Sequence, residues 1–206
     1  MDTLLLDLLT AKTQGDYQAF LYDCDGTLAD NMQAHKDSYV TTAGEFGFTL
    51  DPALIDELAG WPTVAVVAEM SRRYQVAIDE VAFTQRKGQI FFEKYIEHTQ
   101  PVGFVVEHLK QHAGKVKIGV VSGGRRHTVE RTLNVLGIMP LVDTIVCAGE
   151  TPQGKPFPDP FLKAAQDLGA DPAKCMVFED GVPGVQSAIA AGMQAIRIDH
   201  IGAETV

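Results

Sequence analysis

The 206-residue sequence predicts an α/β fold: a doubly wound parallel sheet interrupted by one all-helical insertion. Three observations predict it. Short apolar runs, each followed by polar or glycine-rich residues and then by a helical pattern, occupy the outer parts of the chain. Glycine stands just past three of the helical patterns. Between Asp30 and about Gln100 the alternation of strand and helix patterns stops.

In chain order, Leu4, Leu5, Leu6, Leu8 and Leu9 predict a short amphipathic helix, because Asp2 and Asp7 sit where a secretory leader would carry positive charge and an unbroken apolar run. Ala19 to Tyr22 is the first predicted strand. The helical patterns that follow are broken at Gly44 to Gly47, Asp51-Pro52, Gly60 to Pro62 and around Val76 to Asp79. Pro101-Val102-Gly103 reads as the return linker. Lys117 to Val121, Thr144 to Cys147, Cys175 to Phe178 and Ala195 to Ile198 are the remaining strands. Gly137, Gly169 and Gly192 follow Leu136, Leu168 and Ala191, where a left-handed helix cap is wanted. The expected domains are 1–30 with 101–206, forming the α/β core, and 31–100, forming the helical insertion.

Composition excludes several classes. A formal net charge of -10 repels a polyanion, and no Lys/Arg cluster interrupts it, so nucleic acid is not an expected partner. No apolar stretch approaches the ~18 residues of a membrane span, so no membrane partner is expected either. Cys24, Cys147 and Cys175 are scattered singly, without disulfide or zinc spacing, and a reducing cytoplasm is the expected compartment. The absence of a P-loop and of Gly-x-Gly-x-x-Gly removes the usual nucleotide folds. A monomer or weak homo-oligomer is expected.

Four segments carry chemistry. Asp23-Cys24-Asp25-Gly26-Thr27-Leu28 ends the first strand, and strand alternation turns Asp23 and Asp25 to one side and Cys24 to the other. Alone, this is also an ordinary Asp-Gly turn. Val120-Val121-Ser122-Gly123-Gly124 places a hydroxyl and open backbone N–H groups at a second strand end, a phosphate cradle or plain turn chemistry. Lys155 stands in the proline-stiffened loop Gly154 to Pro160, where its charge could neutralise a phosphate. Glu179-Asp180 closes an apolar strand, and packing explains two such acids poorly unless they are paired or bind a cation; hard oxygen ligands beside a phosphate site suggest Mg²⁺. Open α/β sheets bind ligands at the carboxyl ends of their strands, so the four segments converge on one crevice.

In this order, from Asp23 to Gly184, the segments resemble the four motifs of the haloacid dehalogenase superfamily. The insertion after the first motif is similar to the cap domain of the branch holding β-phosphoglucomutase and many sugar-phosphate phosphatases, as is the Asp30 to His35 spacing. The resemblance implies a Rossmann-like core and a Mg²⁺-dependent phosphatase acting on a small phosphorylated metabolite, with a phosphomutase as the alternative. It implies Asp23 as nucleophile, Asp25 as general acid and base, and Ser122 and the Gly123 amide as phosphoryl holders. It makes Lys155 a charge screen and gives the metal to Asp23, the Asp25 carbonyl, Asp180 and Glu179. Gly26, Thr27, His35 and Trp61 complete the expected substrate contacts.

Cys24 is expected in the core, since Asp30 stands where a Cys-x5-Arg loop needs arginine. His108 and His112, four apart on a predicted helix, could share a metal by geometry, but without a third ligand or the Glu of a zinc-protease helix they read as a solvated face. Arg125, Arg126 and His127 stand at a predicted helix start, where the macrodipole disfavours positive charge; a substrate anion would explain them, but an Arg126–Glu130 pair also serves and is the favoured reading. Trp61, in the Gly60-Trp61-Pro62-Thr63 turn, either lines the substrate entrance or fills the insertion's own core.

Overall fold

The computed structural model describes residues 2–58, 61 and 63–203. In chain order the elements are α1 (Asp2–Lys12), β1 (Ala19–Tyr22), β2 (Ala29–Asp30), α2 (Met32–Glu45), α3 (Ala53–Glu57), α4 (Thr63–Tyr74), α5 (Glu80–Lys94) and β3 (Gln100–Pro101). They continue with α6 (Gly103–His112), β4 (Lys117–Val121), α7 (Arg126–Val135), β5 (Thr144–Val146), α8 (Asp159–Leu168), β6 (Cys175–Glu179), α9 (Val182–Ala190) and β7 (Gln194–Arg197). The chain divides into two compact units, Met1–Asp30 with Thr99–Val206, and Asn31–His98.

In the first unit a parallel sheet runs in the order β5-β4-β1-β6-β7. All four residues of β1 are buried, as expected for a central strand covered on both faces. Alternation sends Phe20 and Tyr22 to one face, into a core with Leu9 of α1, Leu109 of α6 and Leu133 of α7. Ala19 and Leu21 go to the other, against Phe161 and Ala164 of α8 and Ala188 of α9. The three predicted cap glycines have left-handed φ values of 69, 65 and 77 degrees at Gly137, Gly169 and Gly192. Among the described residues no helix is long and apolar enough to cross a membrane.

Two differences from the sequence reading concern this unit. Pro101 pairs with Ala29, and Gln100 with Asp30, in a two-residue antiparallel ladder; a strand that short has no periodicity to read. His108 is fully buried, not solvated. With the Thr13 hydroxyl donating to the carbonyl of Leu9 (3.2 Å) or Thr10 (3.1 Å), its oxygen accepts the Nε2–H of His108 at 2.9 Å in the matching tautomer. His108 Nδ1 is then left to accept from the Tyr22 hydroxyl, also at 2.9 Å. Burial, with a contribution from His112, pushes the imidazole down to about 3, so it stays neutral. The pattern of i, i+4 histidines missed this because both hydroxyl partners are distant in sequence.

The second unit has its own core, in which Tyr39, Leu54, Val67, Met70 and Phe83 are buried together. Asp79 caps α5 by accepting the Ala82 N–H at 2.9 Å. Inside it, Lys87 donates to His35 Nδ1 at 2.7 Å and lies 4.8 Å from the centre of the Tyr39 ring, while His35 stacks on Phe91 with ring centres 4.0 Å apart. Trp61 is 51% exposed and does not fill this core. Its neighbours Gly60 and Pro62 lie outside the described residues.

Candidate active site

Because β1 lies between β4 and β6, the carboxyl ends of three strands stand side by side. The ladder continues past them: Asp23 N donates to Phe178 O at 3.0 Å, and Ser122 N to Val146 O at 2.9 Å. Asp23 therefore keeps sheet register. Cys24, on the opposite face, joins the core beside Tyr22, as alternation predicts.

After Cys24 the chain reverses sharply. Leu28 N and Ala29 N both donate to Cys24 O at 2.9 Å, and Gly26 N donates to Ala29 O at 2.8 Å. Gly26 is required twice over: its φ is +86 degrees, and a Cβ there would collide with the Asp180 carboxylate. The Thr27 hydroxyl, expected against substrate, instead donates to Asp180 Oδ1 at 3.2 Å and orients that carboxylate. Thr27 is fully buried, which is why its side chain turns to a protein partner.

Ser122, Gly124 and Asp25 come together on the β4 side. Gly124 N donates to Ser122 Oγ at 2.9 Å. A Cβ on Gly124 would stand 3.2 Å from Ser122 Oγ and 3.6 Å from Asp25 Oδ2, so both polar atoms border the same small space.

Lys155 ties the remaining strands together. Its ammonium donates to Asp23 Oδ1 and Glu179 Oε1, each at 2.6 Å, and to Val121 O at 2.8 Å, which engages all three protons. The charge also lies 5.3 Å from the centre of the Phe161 ring, a support that sequence spacing does not advertise. Glu179 is 3% exposed and its second oxygen accepts Gly181 N at 3.1 Å, so it anchors the lysine and its own loop. A Cβ on Gly184 would overlap that carboxylate, which accounts for the glycine.

The electrostatics are unbalanced. Burial raises the Asp23 carboxyl well above its ordinary range against the pull of the Lys155 ammonium, and Glu179 and Asp180 add to the rise. Asp180 is pushed up to about 6, chiefly by burial and then by Glu179. Lys155 moves the other way from a typical buried amine: burial opposes its charge, but Asp23 and Glu179 hold its pKa above the usual lysine value. Ligand oxygens of Asp23, Glu179 and Asp180 all lie within 4.8 Å of one another, so three acids face one lysine. A hard divalent cation suits this donor set, supplying the missing charge to oxygen ligands alone. Asp25 lies on the Ser122 side, outside that carboxylate group.

The cluster thus gathers Asp23, Asp25, Ser122, Lys155, Glu179 and Asp180, while His35 and Trp61 belong to the Asn31–His98 unit. Arg126 does pair with Glu130, at 3.2 Å, but its closer partner is Glu150, at 2.5 and 2.8 Å, and it also donates to Ile145 O at 2.8 Å. The i, i+4 reading could not find a partner twenty-four residues away. Arg126 is therefore a structural clasp between α7 and the loop after β5.

A family model described as haloacid dehalogenase-like hydrolase matches residues 17–192. Among curated proteins the chain is 30% identical, over 88% of its length and 96% of the relative's, to fructose-1-phosphate phosphatase YqaB of Escherichia coli. It is 28% identical to hexitol phosphatase A of the same organism, over 88% and 83% of the two chains. Among solved structures, CbbY from Rhodobacter sphaeroides in complex with phosphate superposes with a TM-score of 0.79 at 19% identity, over 87% and 84%. β-Phosphoglucomutase from Clostridium difficile gives 0.72 at 24%, over 87% and 83%. At those identities the two structures speak to the fold.

Proposed function

The chain belongs to the haloacid dehalogenase-like hydrolases, and from that premise we propose that it is a magnesium-dependent phosphatase of a small phosphomonoester with a sugar or polyol body. The observation that carries the reading is the pairing of buried Asp23 with Lys155 inside a group of three carboxylates. The relatives named as fructose-1-phosphate and hexitol phosphatases support the substrate class.

In this reading Asp23 attacks phosphorus and takes the phosphoryl group as an aspartyl-phosphate, while the bond to the leaving alcohol oxygen breaks. Asp25 gives its proton to that oxygen, then removes one from the water that attacks the intermediate, releasing inorganic phosphate and restoring Asp23. Ser122 and the Gly123 amide hold phosphoryl oxygens. Lys155 lowers the repulsion between nucleophile and phosphate. Asp23, Asp180, the Asp25 carbonyl and, more weakly, Glu179 would hold Mg²⁺, which when bound supplies positive charge to the phosphoryl oxygens.

The helical unit would act as a cap that excludes water from the first step. The nearest cation after the Trp61 turn among the described residues of α4 is Arg72, whose guanidinium is engaged by Glu69 at 2.7 and 2.6 Å. That favours a monophosphate substrate and water as acceptor over a mutase cycle through a bisphosphate. Phosphate release from a panel of phosphorylated sugars and polyols, with and without Mg²⁺, tests the reading. Release that ignores the metal throughout, or isomerisation of β-glucose 1-phosphate that outpaces phosphate release, would replace it.

A further inference from the structure

Glu179 on β6 and Arg197 on β7 are register partners. Register partners in a parallel ladder project their side chains from the same sheet face, with strands about 4.8 Å apart. Arg197 therefore begins beside the carboxylate group as a second cation after Lys155. Its attraction to Asp180 and Glu179 contributes to the stability of its charge.

The guanidinium is nevertheless engaged by a nearer acid. Its Nε donates to Asp199 Oδ1 at 2.7 Å and its Nη2 to Asp199 Oδ2 at 2.5 Å, a two-pronged pair formed within one short turn. Asp199 also has His200 Nε2 at 3.5 Å. The pair is partly exposed, with side-chain accessibilities of 25% and 39%, and such pairs add little to stability. Its position beside the site suggests another use.

Building on the metal reading above, we infer that Asp199 is a positioning residue that withholds Arg197 from the Asp23, Glu179 and Asp180 carboxylates, keeping their charge available to a divalent cation. Three carboxylates against Lys155 leave a charge deficit that a divalent cation fills. A released Arg197, on a long stem one strand away, fills half of it and competes for Asp180. Arg197 in turn cannot simply be read as a metal-site cation, because the same geometry that brings it close hands it to Asp199.

The test measures Mg²⁺ binding directly, by calorimetry on the full chain, beside the Mg²⁺ concentration needed for half-maximal phosphate release. Asp199→Asn should weaken Mg²⁺ binding by about three- to tenfold while barely moving the melting temperature. Adding Arg197→Gln to it should bring affinity back to within about twofold of the wild type, since removing the competitor removes the need for its keeper. A merely structural pair predicts no such rescue. Asp199→Ser serves in place of Asp199→Asn should the latter not fold. Unchanged Mg²⁺ affinity in the Asp199 variants, or a double variant as weak as the single one, overturns the inference alone. A wild-type chain that binds no Mg²⁺ overturns both the inference and the cofactor reading beneath it.

Discussion

Two buried polar clusters hang from opposite faces of the same strand, β1, and they are built on different principles. Thr13, His108 and Tyr22 form a neutral chain in which donors and acceptors match and the imidazole has no tendency to charge. One residue along, Asp23, Lys155, Glu179 and Asp180 form a charged group in which acids outnumber the base and two carboxyls are driven up by burial. Burial does not separate them, since both are largely shielded from water. Balance does. A polar cluster that only holds a fold together closes its own accounts of charge and hydrogen bonding, whereas one that waits for a ligand leaves a remainder.

The sharpest way to break that contrast is to remove one member from each cluster. Asp23→Asn should lower phosphate release by about 10⁴-fold or more and leave no intermediate to trap with borohydride, while the melting temperature holds or rises. Near-normal turnover in that variant would end the nucleophile assignment. His108→Ala should do the reverse, costing about 2–4 kcal/mol in denaturant unfolding through the lost ring and the orphaned Tyr22 hydroxyl, with kcat little changed. A large kcat loss in a folded His108→Ala protein would mean that the two faces of β1 are not independent.

Asp180 offers a pH-dependent version. Its pKa is raised from 3.8 to about 6, so the folded chain holds that proton more tightly than the unfolded chain. Its contribution to metal-free stability is therefore present below about pH 4 and is lost as pH rises through 6. Asp180→Asn should stabilise the metal-free protein by about 1–2 kcal/mol at neutral pH, and should abolish the rise in melting temperature that the proposed Mg²⁺ site leads one to expect for the wild type. Melts at pH 5 and at neutral pH, with and without Mg²⁺, would show both effects; a destabilised Asp180→Asn at neutral pH would contradict the charge argument. The smallest expected effect is on the neutral side, where Tyr22→Phe removes the donor to His108 Nδ1 and should cost about 1 kcal/mol without altering activity.

The parts of this molecule that were legible in the sequence are those with local causes. Four strands of the main sheet are largely apolar runs, and the predicted bounds of all five lie within about a residue of the observed ones. The strand-end acids, Ser122 and Lys155 stood out because apolar segments run straight into them. What stayed hidden depends on partners far along the chain: the burial of His108 by Thr13 and Tyr22, the Glu150 that holds Arg126, and the Thr27 hydroxyl given to Asp180. The engagement of Glu179 by Lys155 is of the same kind, since the two acids at 179 and 180 look alike until the third dimension assigns one to the lysine.

The two-residue ladder of β2 and β3 has a consequence for how the chain could be cut. Ala29–Asp30 and Gln100–Pro101 are paired neighbours inside the α/β unit, so the chain departs toward Asn31 and returns from His98 at points about 5 Å apart. A turn of three or four residues could therefore bridge Asp30 to Gln100 with the whole helical segment excised. Until that segment has folded, the ladder has to close a long flexible loop, at a cost about 2–3 kcal/mol above that of a four-residue turn. The shortened chain should then form its sheet more readily than the intact one, as a graft-free version of the same scaffold with its strand-end carboxylates still in place.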